Sequence, residues 1–147
     1  MRPQRSTEEL SKALEHLHYE FSMLCAVSEA LASGRTLPSW ERNALLESFV
    51  VHVRTLIDFF YPSIARDNDV LAIDFFQDPA VWRELTPALS DLLATCRERA
   101  HKEIAHLTYA RLAISPKDKH WRVMEIYSEI RTLMNLFLTT AGLNLDA

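Results

Sequence analysis

The stretch Leu45-Leu46-Glu47-Ser48-Phe49-Val50-Val51-His52-Val53-Arg54-Thr55-Leu56-Ile57-Asp58-Phe59-Phe60 decides the fold class. Leu45, Leu46, Phe49, Val50, Val53, Leu56, Ile57 and Phe60 recur at helical three- and four-residue steps, not at the two-residue step of a strand. The apolar arc is so wide that the spacing predicts the most buried helix of the chain, from about Trp40 to Phe60 and ending near Pro62. In the preceding turn, Arg35-Thr36-Leu37-Pro38-Ser39, Ser39 is the expected N-cap. One polar stripe, Glu47, Arg54 and Asp58 at seven- and four-residue steps, interrupts the apolar surface.

Working outward, Ser6-Thr7-Glu8-Glu9 reads as a capping box. Leu10, Leu14, Leu17, Phe21, Leu24 and Leu31 follow at helical spacing, broken only at Ser28, and Gly34 is a natural stop. This predicts a first helix over about 7–33. A third helix is expected over about 86–113, burying Leu89, Leu92, Leu93, Cys96, Ala100, Ile104, Leu107 and Ala110. Ser115-Pro116-Lys117-Asp118 then signals a restart, with a final helix over about 117–140. Residues 62–84 read as a short helix or folded loop over the end of a bundle. The expected architecture is all-α: one domain, an antiparallel four-helix bundle with an irregular or short-helical middle connection.

Composition narrows the function classes. The chain has 147 residues, long enough for a core without metal or disulfide staples. Its 2 glycines are too few for a sandwich that must turn every few residues. Sixteen Lys and Arg against 20 Asp and Glu argue against a broad nucleic-acid surface, but leave room for a small local cationic site. Cys25 and Cys96 lie far apart among apolar residues and are expected to be reduced, buried thiols. No apolar run reaches the ~20 residues of a membrane span. A cytoplasmic protein that does not enter the membrane is expected.

Chemistry concentrates in Arg97-Glu98-Arg99-Ala100-His101-Lys102-Glu103-Ile104-Ala105-His106. Seven residues make nearly two helical turns, so Arg99 and His106 share a stripe to within about 20°. Glu103 lies between them. The pairing suits phosphate chemistry: an imidazole moves protons near neutral pH while a guanidinium neutralises phosphate.

An Arg and a His with four to six residues between them, on the third long helix of a small helical bundle, resemble the HEPN superfamily; Arg99 and His106 are separated by six. Those domains are commonly dimeric, and many are metal-independent ribonucleases of toxin–antitoxin and phage-defence systems. The resemblance implies that Arg99 and His106 meet their symmetry mates across a homodimer interface. His106 would then handle protons at the 2′-hydroxyl while Arg99 stabilises developing phosphate charge. The chain departs from the family pattern in two places. Ala100 stands where a polar residue often follows the Arg, and His101 occupies the position of the commonest Arg. Arg97 and His101 form a rival pair four apart, on a stripe expected to turn away from the core.

Each candidate also has a structural reading. Arg99, Glu103 and His106 could form an ion-pair chain at the bundle edge. Glu47, Arg54 and Asp58 read either as a solvated face with an Arg54–Asp58 ion pair, or as support for His106 facing the third helix or a dimer mate. His52, at the margin of the apolar arc, reads first as a satisfied core histidine. Glu15-x-x-His18 and Glu103-x-x-His106 evoke a di-iron bundle, but Glu15, Glu47, Glu125 and Glu129 are expected to point away from the interior. No metal or cofactor is therefore expected. The partners this reading predicts are a second copy, RNA, and an antitoxin-like protein; the dimer is suggested by apolar surplus, including Trp82, Trp121 and Leu133. The rival function is a non-catalytic helical interaction protein, followed by a metal-binding bundle.

Overall fold

The computed structural model describes residues 3–104, 109, 115 and 120–145, without the Ile104 side chain. Helix α1 spans Thr7–Ala32 and α2 spans Ser39–Phe60. A 3-10 turn, Ala72–Phe75, precedes the short α3, Pro79–Leu85. Helix α4, Asp91–Arg99, passes into a π-helical turn at Ala100–Ile104, and α5 spans Val123–Ala141. Among the described residues there is no strand.

The capping box forms as the sequence predicts. Ser6 Oγ accepts from the Glu9 backbone amide at 3.2 Å, and the Glu9 carboxylate accepts from the Ser6 amide at 2.8 Å. Helix α1 ends at Ala32, and Gly34 turns the chain with φ +71°. Helix α2 starts one residue earlier than expected: Pro38 is the N-cap and Ser39 lies inside the first turn, with no side-chain cap. Glu20 of α1 meets His52 of α2, while Ala13 and Leu17 share a cavity with Leu56 and Phe59, so α1 and α2 run antiparallel.

As predicted, α2 contributes the most to the core among the described residues, burying Phe49, Val50, His52, Val53, Leu56, Ile57, Phe59 and Phe60. Phe137 of α5 sits in a nest of rings, with centroids 5.2 Å from Phe59, 5.4 Å from Phe75 and 5.6 Å from Trp82. The connection between α2 and α4 is thus a working part of the core. Ser28, the break in the α1 pattern, is fully buried because its hydroxyl donates to the Leu24 carbonyl at 2.6 Å.

Three further expectations need correction. Helix α4 begins at Asp91, not near 86, because Pro87 holds Thr86 extended and Ser90 caps the Leu93 amide at 3.1 Å. His120, Trp121 and Arg122 are not helical, so α5 starts at Val123. The proposed Pro116–Asp118 cap, like the expected burial of Leu107 and Ala110, lies outside the described residues. Finally, Trp82, Trp121 and Leu133 are 1%, 7% and 6% exposed. The chain covers these side chains itself, so they leave no surplus for a partner to bury.

Candidate functional site

Local sequence explains how α4 approaches the C-terminal end of α2. Ser90 starts the helix and also donates to Glu129 of α5 at 2.5 Å, fixing the N-terminal end of α4. At the other end, an Arg97 Nη donates to the Tyr61 carbonyl at 2.8 Å, directly after α2. Arg97 therefore turns toward α2, half-buried, and not away from the core as its stripe suggested. Glu129 likewise faces α4 through Ser90.

This approach builds a groove of about 390 Å³ lined by Arg54, Asp58, Ser63, Arg97, Glu98, His101 and Lys102. The groove unites the rival pair Arg97 and His101 with two members of the α2 stripe. Arg54 Nε lies 3.8 Å from Asp58 Oδ2, both about two-fifths exposed. Burial pushes the Asp58 carboxyl above its usual range, opposed by Arg54 and Arg97. Lys102 pairs loosely with Glu98 at 3.7 Å, and both are exposed. Three permanent cations thus face two carboxylates, giving a locally positive site on a chain of net charge −4. The π turn carries His101 and Lys102, and such widened turns are frequent at functional sites.

Arg99 is differently placed. Its Nε and Nη2 donate to the two oxygens of Glu103 at 2.7 and 3.0 Å. Its Nη1 donates to the His120 carbonyl at 3.1 Å, and its Cζ lies 4.1 Å from the centroid of the Trp121 ring. This bidentate, stacked geometry ties α4 and the π turn to the segment before α5. Arg99 and Glu103 form the structural half of the predicted chain; His106 lies outside the described residues.

The remaining candidates separate. His52 is 8% exposed, its Nδ1 is 2.7 Å from Glu20 Oε2, and the Tyr19 ring meets it edge-on. It is the satisfied core histidine that its position on the arc suggested, joining α2 to α1. Glu47 is exposed and lies away from the groove. Glu15 and Glu125 are exposed, and no group of three His, Cys, Asp or Glu among the described residues could hold a metal. Cys25 and Cys96 are free thiols, Cys96 buried and Cys25 half-buried. None of the described helices is long and apolar enough to cross a membrane.

Three groove residues escaped the sequence reading: Ser63, Glu98 and Lys102. Lys102 had a signal, since it follows His101 directly and stands four residues after Glu98. Ser63 had none, because it belongs to the irregular chain after Pro62. Compared with family models, curated proteins and solved structures, the chain matches none.

Proposed function

We propose that this chain is a HEPN-like protein with RNA-directed phosphodiester chemistry, a metal-independent endoribonuclease of a toxin or defence system. The observation that carries the reading is the groove in which Arg54, Arg97, His101 and Lys102 surround Asp58. Arg97, Arg54 and Lys102 supply phosphate-binding charge, and among the described residues the Arg97 guanidinium makes one hydrogen bond, leaving donors for an anion. His101, or His106 from the expected stripe, moves the protons. Arg99 holds the π turn in place through Glu103 and Trp121 and does not itself meet the phosphate. The same reading includes an antiparallel four-helix bundle, a cytoplasmic homodimer and an antitoxin-like partner.

The test is cleavage of RNA by purified protein in the presence of a chelator. Arg97→Ala, His101→Ala and His106→Ala should each be assayed beside their melting temperatures. Expected is cleavage by wild type, lost in Arg97→Ala and in at least one histidine variant without a matching loss of stability. RNA left intact by wild type refutes the reading.

A non-catalytic interaction protein is the second reading, favoured by the full engagement of Arg99. It predicts harmless expression, intact RNA and binding of a protein partner.

A further inference from the structure

Each permanent cation of the groove already has a partner in the folded chain. Arg97 donates to the Tyr61 carbonyl at 2.8 Å, Lys102 lies 3.7 Å from Glu98, and Arg54 lies 3.8 Å from Asp58. An entering phosphate therefore meets carboxylates that the protein itself supplies. The two differ in how they can yield. Glu98 is 72% exposed on a long arm, so it can turn into water. Asp58 cannot follow it. It is half-buried, a single methylene joins its carboxylate to α2, and helical geometry restricts its rotamers. Its contact with Arg54 is also too long for a hydrogen bond, so the ion pair is loose.

Asp58 thus stays beside any anion that reaches Arg54 and Arg97. It stands where the groove meets a larger cavity of about 700 Å³, the two sharing Arg54, Asp58 and Ser63. The groove side presents Arg54, Arg97, His101, Lys102 and Glu98. The cavity side presents His16 and Glu20 of α1 and Arg66 and Asp69 of the loop. Glu20 is engaged with His52 at 2.7 Å, while Asp69 adds like charge that favours a neutral Asp58. Burial favours the neutral form as well. A phosphate beside ionised Asp58 is repelled, and a proton on the carboxylate is the smallest change that relieves the repulsion. The carboxyl then donates its O–H to a phosphate oxygen. Resting on the phosphodiester reading above, we propose that Asp58 gates the groove: ionised, it is the resting counterion of Arg54, and a backbone phosphate enters together with one solvent proton, which binds a carboxyl oxygen of Asp58.

The probe is a short oligouridine carrying a pH-insensitive dye, because neither its base nor its backbone titrates between about pH 5 and about pH 8. Binding is read by fluorescence anisotropy at fixed salt for wild type, Asp58→Asn and Glu98→Gln, with circular dichroism at each pH to verify the fold. Asparagine is the neutral near-isostere of protonated aspartate. Since the protonated form binds, wild-type affinity is greatest at low pH and falls as pH rises, by up to about tenfold per pH unit for one proton. Asp58→Asn should bind about tenfold tighter than wild type at about pH 8, and the two should converge toward about pH 5. His16 and His101 gain charge over the same range in both proteins, so the affinity ratio isolates Asp58. Glu98→Gln removes the same charge from the exposed arm and should run parallel to wild type. Binding by Asp58→Asn that equals or falls below wild type at about pH 8, or that stays parallel to it across the range, overturns the gate alone. Failure of both wild type and Asp58→Asn to bind at any pH overturns the reading of the groove and the gate with it.

Discussion

The guanidinium of Arg99 stacks on the ring of Trp121 while gripping both oxygens of Glu103. Both ion-pair partners are about one-fifth exposed, so solvent screens the contact only in part. Removing the guanidinium would leave a half-buried carboxylate and an uncovered ring face. Arg99→Ala should therefore cost about 2 kcal/mol, lowering Tm by roughly 6–8 °C. Arg99→Lys should recover less than half, because an ammonium cannot reproduce the bidentate grip. Thermal denaturation of the three proteins checks both statements.

Phe137 is the side chain on which the aromatic core turns. It is fully buried and meets five other rings, from α2, the 3-10 turn, the residue after it and α3. Phe137→Ala should destabilise by about 3–5 kcal/mol, through lost transfer energy and the cavity left behind. Phe137→Leu should cost less than half of that. Urea denaturation distinguishes them by midpoint at an unchanged m-value.

The extent of α2 and α1 was legible because their periodicity and the Ser6–Glu9 box state the same answer locally. His52 was legible for the same reason: its place at the margin of an apolar arc leaves a buried imidazole that needs a partner. The route from Pro62 to Ser90 was not, since its helices are short and their burial depends on rings brought from α2 and α5. The groove failed for another reason. Reading Arg97 to His106 as one uninterrupted α-helix fixes their directions by a constant rotation, and the π turn at Ala100–Ile104 breaks that register just after Arg99. The approach of Arg97 to Tyr61 depends on how two helices meet, which no local spacing encodes.

Asp58 gives a pH dependence whose sign follows from its surroundings. Burial raises its carboxyl pKa in the folded state, against the opposing pull of Arg54 and Arg97. The folded chain thus holds this proton more tightly than the unfolded chain. Its contribution to stability is greatest at low pH and is lost as pH rises from the ordinary aspartate value of 3.8 through the raised folded value. Asp58→Asn removes that loss. The stability of the variant relative to wild type should therefore grow as pH rises through this window and level off above it. Urea midpoints measured across the acid range test it, and a flat difference would refute the assignment.

Cys96 should be chemically silent in the folded protein. Burial pushes its thiol up to about 12, with Arg99 pulling in the other direction. At pH 8 the thiolate fraction is then on the order of one in ten thousand, and the thiolate is the form that reacts. Burial at 2% exposure also denies a reagent access. Treatment of native protein with an alkylating agent at that pH should leave Cys96 unmodified, while denaturation should expose it to full reaction. Peptide mass spectrometry reads both states. In Arg99→Ala, modification of Cys96 should rise in step with the fraction unfolded, because the clamp that closes the chain over this thiol has been removed.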